Sequence, residues 1–281
     1  MTAILDDRSG AGWRMLRADS LLALRDLPAE SVDAVITDPP YSSGGQFRGD
    51  RAGLSSMKYG QSTSADGIRF MPEVEGDSRD QRAYLSWCSL WLAECLRLAK
   101  PGAFVALFSD WRQLATTTDA LQCGGFLFRG IAPWCKTAER PAPHRPSQSA
   151  EFVVWGSKGP MAPDRDSEPE KRGHWVEEQP EPSHWIAGLP QMKDREHMTE
   201  KPITVMRDLA RHCVRGGVVI DPFAGSCSTG VGALLEGRRF IGIETSPAYY
   251  EIACRRLAET EAQAERGSFK TGQTAMFGAA S

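Results

Sequence analysis

Three short runs of apolar residues in this chain end in, or lead directly into, an acidic side chain. The runs are rich in β-branched residues, which is typical of buried strands, and they cover residues 32–37, 218–221 and 239–244. Their acidic residues are Asp38, Asp221 and Glu244. Because ligands of parallel sheets bind beyond the carboxyl ends of the strands, these carboxylates mark the expected place of a functional site.

Residues with helical spacing separate the strands, and this alternation favours an α/β fold with helices on both faces of a mostly parallel sheet. Ser78 is predicted to open one helix, with Gln81 completing a capping box, and Pro101-Gly102 is predicted to end it. Its apolar face consists of Tyr84, Cys88, Trp91, Cys95 and Ala99.

Further elements are predicted on both sides of a polar middle segment. Strands are expected over 103–109, 126–134 and 152–155, the last two as an antiparallel edge. Asp110 can cap a helix. Pro202 suits the first turn of another helix, whose buried face is predicted to be Ile203, Met206, Leu209, Ala210 and Cys213. A last helix is expected from Pro247 to about Ala262.

The overall charge and the cysteines restrict the possible classes of protein. A net charge of -3 excludes binding of a polyanion by overall charge, so any nucleic-acid site must be local. No apolar run is long enough to cross a bilayer and residues 1–17 lack the pattern of a signal peptide, so a cytoplasmic location is expected. The seven cysteines include no Cys-x-x-Cys, and neither a disulfide framework nor a metal site is expected.

The sequence Asp38-Pro39-Pro40-Tyr41 is suited to activating an amine. The exocyclic amino nitrogen of a base is a poor nucleophile because its lone pair is conjugated into the ring. The Asp38 carboxylate and the Pro39 carbonyl can accept its two N–H groups and so make the lone pair available. The prolines hold the backbone rigid, and the Tyr41 ring can stack on a base taken out of a duplex. By themselves, the four residues are equally typical of a turn after a strand.

A second motif, Asp221-Pro222-Phe223-Ala224-Gly225-Ser226, joins a strand to a helix. Gly225 allows a ligand to approach the backbone closely, and Glu244 at the end of the next strand can hold both hydroxyls of a ribose. Because no glycine-rich pyrophosphate motif occurs, an adenosyl ligand without phosphates fits better than a dinucleotide. A tight turn beside an exposed acid is the alternative interpretation.

Together and in this order, the motifs resemble the amino-methylating DNA methyltransferases of the β group, in which the catalytic motif precedes the cofactor turn. The matching stretches are 38–41, 197–202, 221–226 and 240–244, within a resemblance that covers 18–155 and 197–257. The resemblance implies a Rossmann-like methyltransferase fold, S-adenosylmethionine as the donor and no metal. It also implies methylation of a flipped adenine N6 in duplex DNA by a protein of bacterial or phage origin.

The resemblance further implies roles for single residues. Asp38, Pro39, Pro40 and Tyr41 would serve the target amine and base. Asp19 would touch the donor's adenine, Glu244 its ribose, and Lys201 its carboxylate. The complete implied donor site is Asp19, Ser20, Asp38, Pro39, His197, Thr199, Lys201, Asp221, Phe223, Ala224, Gly225, Ser226, Glu244 and Thr245. The chain departs from the family pattern at Cys227, where a second glycine is usual, and at Met198, where a proline is usual.

Local basic segments are the expected DNA contacts, because residues 129–158 carry five basic and two acidic side chains. Residue types that can read bases occur in a second segment, 42–76. The candidates are Gln46, Arg48, Arg51, Lys58, Lys136, Arg140, His144, Arg145 and Arg172.

The domain organisation follows from these assignments. Residues 1–155 are predicted to be the catalytic half of one domain, with a mobile loop over 42–76, and 197–264 the cofactor-binding half. Residues 156–196 are predicted to be a short target-recognition insert and 265–281 a flexible tail. So short an insert is compatible with a homodimer that reads two half-sites.

Three other functions remain open from the sequence. Cytosine N4 is the nearest, and Asp38 favours adenine because cytosine-modifying relatives more often have Ser at that position. A methyltransferase for RNA or protein amides is the second, and a non-catalytic nucleic-acid-binding module is the third.

Overall fold

The strands within the described residues form one nine-stranded sheet. The computed structural model describes residues 4–41, 79–137, 144, 149–161, 184–188 and 200–270, the last six of these by their backbone alone. The strands are β1 (Ile4–Ser9), β2 (Trp13–Ala18), β3 (Val32–Thr37), β4 (Ala99–Ser109), β5 (Leu127–Cys135), β6 (Ala150–Ser157), β7 (Trp185–Ile186), β8 (Val218–Asp221) and β9 (Arg239–Glu244). The helices are α1 (Ser20–Asp26), α2 (Gln81–Leu98), α3 (Leu114–Cys123), α4 (Ile203–Ala210), α5 (Ser228–Leu235) and α6 (Pro247–Lys270).

The strand order is β1-β2-β9-β8-β3-β4-β6-β5-β7. The five strands from β2 to β4 run parallel, and antiparallel pairs lie at both ends of this block, β1 with β2 and β6 with β4. The mostly parallel sheet with an antiparallel edge is therefore confirmed. Strand β3 lies between β4, which follows it in the chain, and β8, which comes much later. Such a switch point opens a crevice for ligands at the carboxyl ends of the strands.

Helices cover both faces of the sheet, as predicted. Helices α1, α2 and α3 pack on one face and α4 and α6 on the other, and each face has its own apolar core. The central strand β3 is buried along its whole length, with Val35 facing one core and Ile36 the other. Burial on both faces explains why β3 reads as a continuous apolar run instead of an alternating one.

Several predicted boundaries are wrong. Helix α2 begins at Gln81 with Asp80 as its N-cap residue, while Ser78 lies outside the described residues. It ends at Leu98, and β4 begins at once and includes Pro101-Gly102, where Gly102 takes the positive φ of 77° that glycine tolerates. Asp110 accepts hydrogen bonds from the backbone N–H groups of residues 112 and 113, which closes a turn ahead of α3 instead of capping its first residue.

The remaining differences lie at the chain ends and in α4. The hairpin β1–β2 was not predicted, because β1 has only two apolar residues, followed by three charged ones, and lies at an exposed edge. In α4, Val205 is buried and Ile203 only half-buried, so the buried face is turned slightly from the predicted one. Helix α6 reaches Lys270, beyond the predicted end at Ala262 and into the segment predicted to be a flexible tail.

Candidate active site

The carboxyl ends of the central strands bring the predicted carboxylates to one edge of the sheet. Asp38 follows β3, Asp221 ends β8 and Glu244 ends β9. The hydroxyl of Thr37, the last residue of β3, donates a hydrogen bond of 2.6 Å to Asp221. The catalytic motif and the cofactor turn are thus joined directly, although they are far apart in the chain.

Asp38 is held by two donors. The Tyr41 hydroxyl donates to its Oδ1, and the Lys201 ammonium lies 2.5 Å from its Oδ2. Burial raises the pKa of Asp38 above its ordinary value, the Lys201 charge opposes this rise, and the nearby Glu151 carboxylate adds to it. Burial also raises the pKa of the Tyr41 hydroxyl, which therefore stays protonated and acts as a donor.

Lys201 is buried, with a side chain only 3% exposed. Its ammonium lies 5.4 Å from the ring centre of Tyr41 and 5.2 Å from that of Phe108, and 3.3 Å from the Glu151 Oε2. Burial lowers the pKa of Lys201, but the Asp38 and Glu151 carboxylates together raise it above the ordinary value. The ammonium therefore pairs with Asp38 in this structure, and its place beside the donor's carboxylate stays a prediction.

The Asp221 carboxylate accepts three hydrogen bonds at the head of the cofactor turn. The donors are the hydroxyls of Thr37 and Thr229, each at 2.6 Å, and the backbone N–H of Phe223 at 3.0 Å. Burial nevertheless raises the pKa of Asp221 to about 6. Its part in shaping the turn is thus structural as well as electrostatic.

Two residues of the cofactor turn have left-handed backbone conformations. Gly225 has a φ of 51°, and Cys227, the N-cap residue of α5, has a φ of 69° and is fully buried. Only glycine adopts this region without steric cost, which explains why the family pattern has a glycine where this chain has Cys227. The cysteine side chain is accommodated in the core on the α4–α6 side.

Glu244 lies across from this turn. Its Oε2 accepts the backbone N–H of Gly225 at 2.8 Å and its Oε1 that of Ser246 at 2.8 Å. Burial raises the pKa of Glu244, and both of these hydrogen bonds lower it. Each oxygen retains acceptor capacity, so the carboxylate can take two hydroxyls of a ribose in addition.

An aromatic cluster forms the neighbouring wall. The Phe223 ring lies 5.1 Å from the rings of both Trp87 and Trp91 on α2. The Ser20 hydroxyl donates to the backbone carbonyl of Pro222, which ties the start of α1 to the turn. The adjacent Asp19 is exposed and caps α1 by accepting the N–H of Leu22.

These groups fit an adenosyl ligand. An acidic residue with spare acceptor capacity, Glu244, stands opposite a glycine turn, Gly225, and an aromatic ring, Phe223, lies beside them. No metal-binding cluster of His, Cys, Asp and Glu occurs within the described residues. Nor does any described helix have the length and apolar character to cross a membrane.

Two of the predicted DNA contacts lie within the described residues. His144 is exposed, and Lys136 lies 2.5 Å from the Glu151 Oε1 and 5.5 Å from the ring of Trp134. This carboxylate offsets the Lys136 charge, which weakens its case as a phosphate contact. The others lie outside the described residues, as do two donor-site candidates; together they are Gln46, Arg48, Arg51, Lys58, Arg140, Arg145, Arg172, His197 and Thr199.

Three residues near this edge were not predicted from the sequence. Glu151, near the start of β6, is paired with two lysines. Trp111, which follows β4, is 46% exposed although it is a large aromatic residue. Arg256 on α6 donates 2.6 Å to the carbonyl of Ser226 and 2.7 Å to Glu200, and so braces the cofactor turn. An acid within an apolar strand was the one signal in the sequence that could have singled out Glu151.

The strand order and the paired strand-end motifs define the class of protein, a methyltransferase of the Rossmann-like fold. A model of the N6/N4 DNA methylase family matches residues 32–255. The chain belongs to this family and is a DNA methyltransferase.

Relatives and solved structures agree with this assignment. The chain is 26% identical to the DNA adenine methyltransferase YhdJ of Escherichia coli (strain K12), over 86% of this chain and 82% of that protein. The crystal structure of the M1.HpyAVI–SAM complex superposes with a TM-score of 0.59 and 21% identity, over 87% of this chain and 98% of the other. The PvuII DNA methyltransferase, described as cytosine-N4-specific, superposes with a TM-score of 0.60 and 18% identity, over 91% and 93%. At these identities the two structures show the shared fold.

Proposed function

We propose that this DNA methyltransferase transfers a methyl group from S-adenosylmethionine to the N6 amino group of an adenine in double-stranded DNA. The proposal rests on the position of Asp38, which directly follows the central strand beside the cofactor turn. Its carboxylate accepts hydrogen bonds from two donors. The base reaches this partly buried carboxylate only after it is flipped out of the duplex.

The chain's own groups activate the amine. Asp38 and the backbone carbonyl of Pro39 accept the two N–H groups of the target amine, so that its lone pair turns towards the donor. Tyr41 holds the carboxylate through its hydroxyl and offers its ring to the base. After transfer, the extra proton on nitrogen leaves through Asp38, whose raised pKa makes it a better base than an exposed carboxylate.

Other residues bind and orient the donor, which supplies an electrophilic methyl group on a sulfonium. Glu244 takes the ribose hydroxyls, Phe223 and Gly225 lie against the methionine portion, and Asp19 reaches the adenine. Ser20, Ala224, Ser226 and Thr245 complete the proposed donor site, together with His197 and Thr199. The aromatic wall of Trp87 and Phe223 excludes water from the reacting atoms.

Adenine is proposed over cytosine because of the identity of residue 38. The adenine enzyme YhdJ and the cytosine-N4 enzyme PvuII are both similar to this chain, so similarity alone does not select the base. Cytosine N4 is the second candidate, and the same carboxylate and carbonyl would serve it. A homodimer on two half-sites stays a prediction.

Transfer of a tritium-labelled methyl group to unmodified duplex DNA, followed by analysis of the product nucleosides, tests the proposal. The native chain is expected to produce N6-methyldeoxyadenosine. The Asp38→Ala variant is expected to have a kcat at least about 1,000-fold lower. N4-methylcytosine as the product would transfer the proposal to the second candidate. Normal turnover by Asp38→Ala would refute the role of the carboxylate.

Donor binding is tested separately by calorimetric titration with S-adenosylmethionine. Glu244→Gln is expected to weaken binding by roughly 10-fold or more, because a hydrogen bond to a charged group contributes about 1.5–3 kcal/mol. Glu94→Gln is the matched control, since Glu94 is paired with Arg97 on α2. Equal affinities of the two variants would remove Glu244 from the donor site.

A further inference from the structure

Four charged side chains of alternating sign form a continuous chain behind the catalytic carboxylate. The Asp38 Oδ2 lies 2.5 Å from the Lys201 ammonium, which lies 3.3 Å from the Glu151 Oε2. The Glu151 Oε1 lies in turn 2.5 Å from the Lys136 ammonium. We call these residues the charge chain, and the two cations in it balance the two anions.

The charge chain spans separate parts of the sheet. Asp38 follows β3, Lys201 precedes α4, Glu151 lies in β6, and Lys136 follows β5. Trp134 of β5 is in register with Glu151 of β6, and the backbone N–H of Lys136 donates 2.8 Å to the carbonyl of Ser149. The outer half of the charge chain is therefore anchored on a rigid antiparallel pair of strands.

The second carboxylate is not needed simply to pair the buried ammonium. Asp38 alone would neutralise Lys201, and every further charge taken from water carries a desolvation penalty. Glu151 is nevertheless mostly buried, with a side chain 16% exposed, and its Oε2 lies 3.3 Å from the Lys201 ammonium. Its presence must change what Lys201 does to Asp38.

We propose that Glu151 is a positioning residue for methyl transfer, which acts through Lys201 to fix the orientation and the acceptor strength of the Asp38 carboxylate. The inference rests on the proposed role of Asp38 in holding the target amine. By sharing the ammonium between two carboxylates, Glu151 prevents Lys201 from withdrawing so much charge that Asp38 becomes a weak hydrogen-bond acceptor. Lys136 holds Glu151 in place for this task.

The pH dependence of the reaction is expected to depend on the charge of Glu151. The charged and titratable groups facing Asp38 within the described residues are Lys201, Tyr41, Glu151 and Asp221. Glu151 raises the pKa of Asp38 and Lys201 lowers it. Loss of the Glu151 charge is therefore expected to lower the pKa of Asp38 and to move the acid limb of the kcat profile to lower pH.

Glu151→Gln is the test, and Glu236→Gln is its matched control. Glu236 also lies between two cations, 2.6 Å from Arg207 and 3.1 Å from Arg211, and its side chain is 13% exposed, but it follows α5 at the opposite edge of the sheet. For Glu151→Gln we expect kcat to fall roughly 10- to 100-fold, as for misplaced reacting groups. The KM for DNA and the Kd for S-adenosylmethionine are expected to change less than about threefold, and the acid limb to shift downwards.

The outcomes separate this inference from the proposed function. If Asp38→Ala is inactive and Glu151→Gln matches Glu236→Gln in kcat and pH profile, Glu151 only compensates a buried charge and the inference is overturned. If Asp38→Ala is active, the proposed function itself fails. Should Glu151→Gln not fold, Lys136→Met replaces it: a lower kcat with unchanged KM supports the inference, and a raised KM for DNA alone overturns it.

Discussion

Replacement of Asp221 by asparagine is expected to stabilise the protein, and more so as the pH rises. The carboxylate is buried and its donors are uncharged, namely two threonine hydroxyls and one backbone N–H. Burial wins over these hydrogen bonds and raises the pKa from 3.8 to about 6. Asparagine has the same shape and can accept from Thr37 and donate to Thr229, without a charge to bury.

The magnitude follows from linkage between protonation and folding. A raised pKa means that the folded state holds the proton of Asp221 more tightly than the unfolded state does. The protonated carboxyl therefore contributes its full stability below pH 3.8, and this contribution is lost as the pH rises through about 6. At pH 8 the ionised carboxylate therefore costs about 3 kcal/mol, and at pH 5 roughly half of that. The gain from Asp221→Asn should grow by about 1 kcal/mol between these two values, with an offset of about 1 kcal/mol for altered hydrogen bonds.

Urea unfolding monitored by circular dichroism between pH 5 and pH 8 measures this gain. Asp33→Asn is the control, because Asp33 is also 1% exposed but lies 2.7 Å from the Lys100 ammonium. Its replacement leaves that cation without its partner and is expected to destabilise the fold at pH 8. If Asp221→Asn has a free energy of unfolding equal to or below that of the native chain at pH 8, or a gain that is flat with pH, the reasoning is refuted.

Substitutions at four further positions test other contacts. Tyr41→Phe removes the hydroxyl that donates to Asp38 and should lower kcat by roughly 10-fold. Tyr41→Ala should lower kcat further, because base stacking contributes about 1–3 kcal/mol. Equal kcat values for the two variants would exclude stacking of the base on Tyr41. Cys227→Gly should change the free energy of unfolding by less than about 1 kcal/mol, because relief of the left-handed backbone offsets the lost burial. Cys227→Val should destabilise the protein by about 2 kcal/mol or more. Urea unfolding that ranks the two variants in the reverse order would contradict this. Gly232→Ala should destabilise the protein by about 1–3 kcal/mol, because the added Cβ would lie 2.8 Å from the Cβ of Met206 and 2.9 Å from its backbone carbonyl carbon. An unchanged midpoint of urea unfolding would show that α4 and α5 can separate. Trp111→Ala should raise the KM for DNA roughly 10-fold, because an exposed aromatic surface for stacking is lost, and should leave the melting temperature nearly unchanged. An unaltered KM for DNA would show that Trp111 does not contact the DNA.

The parts of the fold that could be predicted are those with a local pattern. Strand β3 is a buried run that an acid follows directly, and β8 and β9 each end in an acid. The parallel sheet and the edge that carries the site therefore follow from short stretches of sequence. Hairpin β1–β2 has no such signal, because an exposed edge strand need not alternate cleanly.

The available chemistry follows from the residue types in the two motifs, which are those that an amine and an adenosyl donor require. Which charges meet depends on how the strands are ordered in the folded protein. Lys201 and Asp38 are 163 positions apart, and opposite charges leave no periodic trace in the chain by which such a pairing could be found. The sheet order brings β3, β6 and the start of α4 to one edge, and this alone turned Lys201 towards Asp38 and gave Glu151 a place behind it.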